Sequence, residues 1–260
     1  MNAYRTLLLG FALATGSAWP YPAYPINGTA TVQWDSNMFP AGYQNMSGSV
    51  IPGPASGPYS VGIFGLEFNT SNDVPDAGYQ DFRAICIDAS EHLFAGGAPQ
   101  LYYVQTLSSY PAAIVSGTGY GPTLDAAQRD ELAKLFTVGW ADAQPTPKND
   151  VKSAAFQWAA WEIGRETSPT LDVSSGAVQY SNNDAVRDQA NAYLSALQQS
   201  NVTASSVLIW SPVKWENNQY VRVAGQELLT LSPVPEPAHF GVLLAVGVAY
   251  LIWHKRRTLA

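Results

Sequence analysis

The sequence is short of the residue types that several function classes require. It holds one cysteine, Cys86, and three histidines among 260 residues, so no disulfide can form within the chain and a zinc site of cysteine and histidine ligands is excluded. Acidic residues outnumber basic ones by 20 to 13, which argues against a nucleic-acid partner. No phosphate-binding loop, Gly-x-Ser-x-Gly or dinucleotide fingerprint is present. We expect neither a cofactor nor a metal.

The C-terminal segment, residues 232–260, differs from the rest of the chain. Pro235, Glu236 and Pro237 precede an apolar run at residues 240–253, and Lys255, Arg256 and Arg257 follow it. An apolar helix with basic residues behind it is typical of a membrane segment whose basic end lies in the cytoplasm. At 1.5 Å per residue the run reaches about 20–25 Å, less than the ~30 Å of a bilayer core. A transient anchor is therefore favoured over a permanent one.

This order of motif, short apolar helix and basic cluster resembles the PEP-CTERM sorting signal of Gram-negative bacteria. The resemblance implies a linker, a transmembrane helix at 239–253 and a basic stop. It also implies an exosortase that recognises the tail and processing near the Pro-Glu-Pro motif. The protein would be held briefly in the inner membrane and then reach the cell surface or the extracellular matrix. An ordinary single-pass C-terminal anchor is the alternative.

The N-terminus has the pattern of a secretory signal peptide. Arg5 precedes an apolar stretch at residues 7–14, and Gly16, Ser17 and Ala18 supply small residues for cleavage. We assign residues 1–18 to the signal peptide and residues 19–231 to a secreted domain that folds outside the cytoplasm. Secretion machinery is then a necessary partner.

The secreted part alternates between two hydrophobic periods. Period-two segments bounded by Gly, Pro, Asn or Asp predict strands; they are residues 29–35, 59–69, 81–88, 101–107, 206–210, 220–224 and 227–231. Helical spacing with capping residues predicts helices at 123–139, 150–165 and 183–199. The first helix would bury Leu132, Leu135 and Phe136, and the third Ala185, Tyr193, Leu194 and Leu197. The fold class is α+β: an antiparallel β-sandwich or barrel with an inserted three-helix subdomain.

The second predicted helix carries a polar residue in an apolar setting. Residues 154–163 are apolar nearly all round, which indicates a buried helix, and Gln157 lies in their middle. A buried amide costs a few kcal/mol unless its hydrogen bonds are met. The small neighbours Ala154 and Ala160 leave room for a partner to approach. Sheet backbone is the simplest partner for this amide.

Two short motifs offer a second explanation. Cys86 and Asp88 lie at the end of a predicted strand, and Gln157, Ala159 and Trp161 form a Gln-x-Ala-x-Trp pattern on the helix. Together they resemble the thioester (TQxA-type) domains of bacterial surface proteins. The resemblance implies that the Cys86 sulfur and the Gln157 acyl carbon condense with loss of ammonia, with the other three residues as motif support. Phe156 stands where that family often has Thr, and Ile85 where it often has an aromatic residue or Leu.

The implied thioester defines a chemistry. It is stable while shielded from water and reacts with an amine or hydroxyl that reaches it. Cys86 would be a leaving group, and Trp140, Trp158 and Trp161 would exclude water. Each molecule would react once, so we expect a covalent binder of a surface or matrix partner, with no catalytic residues, and not an enzyme.

A polysaccharide-binding surface module without a thioester is the main alternative, because 8 Trp and 14 Tyr include rings that could stack on sugars. Most aromatics, such as Trp158 and Trp210, would be core. The candidates for exposed rings are Trp34, Tyr43, Tyr59, Trp215 and Tyr220.

Two enzyme readings are weaker. A Cys–His hydrolase would have to use His92, the only histidine outside the tail, and no third orienting residue is identifiable. A glycoside hydrolase would need two carboxylates across a cleft. The candidates are Asp142, Glu162, Glu166 and Asp172, although Glu162 is better explained as a partner of Arg165 or Lys152 or as a structural hydrogen bonder.

Overall fold

The computed structural model describes residues 24–50, 57–70, 78–88, 98–110, 123–144, 147–167, 170–180, 182–199 and 201–232. The proposed signal peptide and the sorting residues Pro235, Glu236, Pro237, Lys255, Arg256 and Arg257 lie outside these ranges, as does the transmembrane helix predicted at 239–253. Among the described residues, no helix has both the length and the apolar character needed to cross a bilayer.

The described part contains ten strands, three α-helices and a short 3-10 helix, Leu107–Ser109. Six strands come first, then two α-helices, one short strand, the third α-helix and three final strands. The strands are β1 Gly28–Trp34, β2 Tyr43–Val50, β3 Gly57–Gly62, β4 Phe64–Asn69, β5 Gln80–Cys86, β6 Gln100–Thr106, β7 Val178–Tyr180, β8 Val207–Glu216, β9 Gln219–Arg222 and β10 Leu228–Leu231. The helices are α1 Ala126–Gly139, α2 Asp150–Arg165 and α3 Asp184–Leu197. The α+β prediction is confirmed, and the three helices lie between β6 and β8 as expected.

Six of the strands close into an antiparallel barrel. The order is β5-β4-β1-β6-β8-β10, and β10 pairs with both β8 and β5, which closes the ring. Closure removes the open edges that a flat sheet would expose. Of the two predicted architectures, the barrel is therefore correct and the sandwich is wrong. β9 extends β8 as a hairpin whose turn residues, Asn217 and Asn218, both have positive φ, the turn chemistry of a two-residue hairpin.

A small second sheet, β3-β2-β7, lies beside the barrel and packs on α2. The single strand predicted at 59–69 is in fact two strands that belong to different sheets. The chain leaves the small sheet at Gly62, passes through Ile63 and enters the barrel at Phe64. The apolar residues stand at odd positions up to Ile63 and at even positions from Phe64 onward. The alternation therefore changes phase at the break, a signal that the prediction of one continuous strand overlooked.

The barrel interior is filled by aromatic side chains. Phe82 stacks on Trp210 at 4.7 Å between ring centroids, and Phe68 meets both rings edge-on. Such aromatic pairs add stabilisation beyond the area they bury. These contacts join β4, β5 and β8 across the barrel interior.

Each helix begins at a side-chain cap. Asp125 and Gln128 form a capping box for α1, Asn149 accepts from the Lys152 N–H of α2, and Asn183 accepts from the Val186 N–H of α3. Ala185 was expected to face the core and is exposed.

The remaining inward predictions are confirmed. Leu132, Leu135 and Phe136 on α1 are buried, as are Tyr193, Leu194 and Leu197 on α3, where Val186 and Ala190 complete the buried face. Residues 153–164 of α2 are all buried, so α2 is the central helix of the insertion.

Candidate functional site

Cys86 occupies the last position of β5, beyond the reach of its neighbour β4. The ladder between β4 and β5 stops at the pair Phe64–Ala84, two residues before Cys86. Along a strand, successive residues direct their N–H and C=O groups to opposite neighbours. The Ile87 N–H binds the Glu227 carbonyl on the β10 side. The N–H and C=O of Cys86 therefore point to the side on which β4 has ended.

The side chain of Gln157 meets both of these backbone groups. Its Oε1 accepts from the Cys86 N–H at 2.9 Å, and its Nε2 donates to the Cys86 carbonyl at 2.5 Å. Both residues are fully buried. The amide thus completes the β5 ladder as a strand residue would, and the cost of burying it is offset. Two expectations for Gln157 came from the sequence, a hydrogen bond to sheet backbone and a position beside Cys86. The contact with the Cys86 backbone meets both.

Gln157 belongs to a ridge of residues spaced four apart on α2. Ser153, Gln157, Trp161 and Arg165 follow one another at one-turn intervals and so lie along one side of the helix. Ser153 Oγ accepts from the Ile63 N–H at 2.9 Å, at the point where the chain changes sheet. Arg165 Nη2 lies 2.6 Å from Asp88 Oδ1. The ridge therefore contacts the chain at three points: just before β4, at the last residue of β5, and two residues beyond β5.

The environment of the thiol keeps it protonated. Burial raises the pKa of Cys86 far above its usual value of 9.0, the Asp88 carboxylate raises it further, and the side chain of Trp161 opposes the rise. The Trp161 indole N–H itself makes no hydrogen bond of normal geometry within the described part of the chain. An unreacted Cys86 is inert toward solvent reagents at neutral pH.

The acyl oxygen of Gln157, in contrast, is polarised. Its hydrogen bond comes from the backbone N–H of the same residue that carries the thiol. Serine proteases use a comparable arrangement, in which the backbone N–H of the nucleophilic serine is one donor of the oxyanion hole. A sulfur that attacks the Gln157 carbonyl would thus find the developing negative charge already solvated. The arrangement is suited to acyl transfer between these two side chains.

The motif residues that accompany this pair are all buried. Asp88, Ala159 and Trp161 are buried, as is Trp158, while Trp140 is partly buried and packs on Phe136 and Phe156. Trp158 and Trp161 meet edge-on at 5.4 Å between centroids. Large apolar rings on the helix that carries Gln157 provide the dry surroundings that a thioester needs.

Two residues of the site were not identified from the sequence. Ser153 and Arg165 became visible only once the ends of β4 and β5 were placed beside α2; their spacing of four and eight residues from Gln157 was the available signal. Arg165 was expected to pair with Glu162, and that prediction is wrong. Glu162 accepts from the backbone N–H groups of Asp172 and Val178, the structural hydrogen bonding that was the other prediction. Arg165 pairs with Asp88 instead.

The other acidic candidates are occupied by local contacts. Asp142 pairs with Lys152 at 2.5 Å, which also removes Lys152 as a partner of Glu162. Glu166 accepts from the Thr167 and Ala177 N–H groups, and Asp172 accepts from the Ser174 N–H. His92 lies outside the described residues. Within the described ranges, no group of three or more His, Cys, Asp or Glu side chains is arranged to hold a metal ion.

The candidate sugar-stacking rings fall into two groups. Trp34 and Tyr59 are partly buried and pack on Phe64 and Trp161, respectively. Tyr43 is 42% exposed but stacks on Phe39.

The second group lies on the β8–β9 hairpin. Trp215 is 56% exposed and meets its cross-strand neighbour Tyr220 at 4.7 Å. Among the described residues, Trp215 is the most exposed aromatic side chain.

Comparison with known proteins gives one structural match. The sequence matches no protein-family model and none of the curated proteins. The fold is similar to the N-terminal domain of the Streptococcus pyogenes pilus tip adhesin Cpa, with a TM-score of 0.40 and 12% sequence identity, over 78% of this chain and 98% of that chain. The site has to be interpreted from the residues of this chain itself.

Proposed function

We propose that Cys86 and Gln157 form an internal thioester through which the protein attaches covalently to a partner. The observation that carries the proposal is the two-point contact between the Gln157 amide and Cys86. A buried Gln can be satisfied by many backbone groups, yet this one binds the residue that holds the sole thiol of the sequence. That coincidence supports a reaction between the two side chains.

Formation of the bond is a balanced exchange. The Cys86 sulfur attacks the Gln157 side-chain carbonyl carbon, its proton passes to the amide nitrogen, and the carbon–nitrogen bond breaks. The products are a sulfur–acyl bond and one molecule of ammonia. The raised pKa of the thiol disfavours attack. Attack is favoured because the Gln157 amide is fixed on the Cys86 backbone and because the Cys86 N–H already binds the acyl oxygen.

Transfer uses the same acyl carbon. An amine or hydroxyl of the partner attacks the thioester, the sulfur leaves, and the attacking group's proton goes to the thiol. The product is an amide or ester between Gln157 and the partner, with Cys86 restored. One partner is captured by each molecule, so the protein acts as a covalent binder and not as an enzyme with turnover.

The ends of the sequence support an exported setting for this chemistry. A signal peptide at 1–18 and an exosortase-processed tail at 232–260 would deliver the domain to the cell surface or extracellular matrix. The partner would then be a surface or matrix amine, hydroxyl or polysaccharide. The acidic balance of 20 to 13 suits a soluble surface protein with little non-specific adhesion.

Intact mass of freshly purified protein tests the proposal. It should be one ammonia lighter than the sequence requires, and methylamine should add to it, leaving methylated Gln157 and a free thiol. Cys86→Ala and Gln157→Ala should each abolish both effects, while Ser60→Ala, on an exposed strand position, should retain them. Full mass together with a titratable thiol in unfolded wild-type protein would refute the thioester.

A second candidate function, non-covalent polysaccharide binding, is favoured by the exposed Trp215–Tyr220 pair. An exposed indole on a rigid hairpin is suited to stacking on a sugar ring. Trp215→Ala should then abolish retention on a polysaccharide column, and bound protein should elute on dilution. An adduct that survives denaturation would instead identify the thioester as the means of attachment.

A further inference from the structure

The ion pair between Asp88 and Arg165 links the same two elements as the Cys86–Gln157 contact. Asp88 follows Cys86 by two residues, and Arg165 follows Gln157 by two helical turns. Their side chains are only 3% and 12% exposed. The chain from Cys86 to Asp88, which bends at Ile87, covers at most about 7 Å, and the helix from Gln157 to Arg165 covers about 12 Å. The long Arg165 side chain, which leans toward the helix N-terminus as helical side chains do, closes the difference.

Burial sets this pair apart from the exposed ion pairs. In Lys134–Asp130 and Arg187–Asp184 the Asp side chains are 51% and 80% exposed, and such pairs contribute little. A buried pair is a poor stabiliser compared with apolar side chains of the same volume, and its best-attested use is to fix register. A contact that fixes register is what two reacting groups on different elements require.

Asp88 is also held from the opposite side. Its backbone carbonyl accepts from Gln226 Nε2 at 3.3 Å, and Gln226 lies just before β10. The Ile87 N–H binds the Glu227 carbonyl nearby. The chain that follows Cys86 is therefore attached to the barrel through its backbone and to α2 through the Asp88 carboxylate. Movement of α2 relative to β5 would strain this attachment.

We propose, resting on the thioester proposed above, that Arg165 is a positioning residue: its ion pair with Asp88 holds α2 in the axial register that keeps the Gln157 acyl group against Cys86. A slip of one residue along α2 would move Gln157 by about 1.5 Å and rotate it by about 100°. A misplacement of 1 Å can cost a reaction about a hundredfold in rate. In this role Arg165 acts through Asp88, with which it forms its ion pair.

The test follows the thioester by mass over time in the full-length protein. Arg165→Gln should shorten the lifetime of the thioester in buffer by about tenfold or more, or lower by a similar factor the rate at which newly folded protein loses ammonia. Asp88→Asn should give the same defect, and the double variant should be no worse than either single variant because both remove one contact. Arg165→Lys, which keeps the charge, should restore part of the lifetime.

A destabilised control separates positioning from mere stability. Leu135→Ala removes a buried side chain on α1 and should lower the melting temperature while the thioester lifetime stays within twofold of wild type. If Arg165→Gln lowers the melting temperature but leaves lifetime and formation rate like those of this control, the positioning role is refuted and the thioester stands. If wild-type protein shows no loss of ammonia, both proposals fall together.

Discussion

Gln157 is related to Cys86 as a residue on one β-strand is related to its partner on the next. One N–H···O hydrogen bond runs in each direction: the Cys86 N–H donates at 2.9 Å, and the Gln157 Nε2 donates at 2.5 Å. Here, however, one of the two partners is a side chain on a helix. The structural role and the proposed chemical role of Gln157 are therefore coupled. Loss of ammonia would remove the donor to the Cys86 carbonyl and leave the acyl oxygen on the Cys86 N–H. The same contact that satisfies the precursor would activate the product.

The structural half of this role can be measured alone. In a Cys86→Ala background, where no thioester forms, Gln157→Ala leaves two buried backbone groups without the amide and should lower the free energy of unfolding by about 2–5 kcal/mol. Ser153→Ala leaves one such group, the Ile63 N–H, without its acceptor, and should lower the free energy of unfolding by about 1–3 kcal/mol. Urea unfolding gives both values. Equal costs, or a Gln157 cost below 1 kcal/mol, would contradict the two-point contact.

Much of this site was predictable because its chemistry is local to two short segments. The apolar surroundings of Gln157 predicted a buried helix, and the alternation at 81–88 predicted the strand that ends at Cys86. The contact between Gln157 and Cys86 depends on how the barrel closes, and no local sequence pattern predicts that closure. Arg165 was considered only as one possible partner of Glu162 on the same helix. Its actual partner, Asp88, lies 77 residues away in the sequence, just after the end of β5.

The missed elements have a common physical reason. β2 contains Gly, Ser and Asn and alternates weakly, so its pairing with β3 and β7 comes from tertiary context and not from propensity. β7 has three residues, too few for a period. β8 was predicted to end at Trp210, yet the strand continues through Pro212 to Glu216. Proline lacks the N–H but keeps the carbonyl, and the Pro212 carbonyl accepts from the Val223 N–H.

The raised pKa of the thiol predicts a pH dependence of stability in protein that has not reacted. Gln157→Met keeps the thiol and prevents acylation. The folded thiol ionises far above 9.0, whereas the unfolded one ionises near that value, so the unfolded state releases a proton first as pH rises. Stability should be complete below pH 9 and fall above it by about 1.4 kcal/mol per pH unit. The double variant Cys86→Ala/Gln157→Met, which lacks the thiol, provides the baseline in denaturant titrations at pH 8, 9 and 10, and parallel curves would contradict the shift.

Processing of the chain ends predicts the mass of the mature protein. Material isolated from the producing cell should lack residues 1–18 and the apolar run at 240–253. Peptide mapping should find a new C-terminus near Pro235-Glu236-Pro237. Substituting Glu236 by Ala should leave the tail in place and hold the protein in the membrane fraction. Recovery of an intact peptide containing Trp253 and His254 from mature surface protein would show that no such processing occurs.

We expect Trp161 and Trp158, which lie on the same helix, to affect the reaction of the thioester with amines differently. Because the side chain of Trp161 opposes the rise in the Cys86 pKa, its N–H should stabilise the sulfur as it leaves during transfer. Trp161→Phe keeps a large apolar ring but removes that donor, so methylamine uptake by the preformed thioester should slow by about three- to tenfold, which corresponds to a hydrogen bond of about 1 kcal/mol. Trp158→Phe makes the same change one turn earlier, and its effect on uptake should stay within twofold. Faster uptake in Trp161→Phe than in wild type would mean that the indole serves to exclude the amine and not to assist the sulfur.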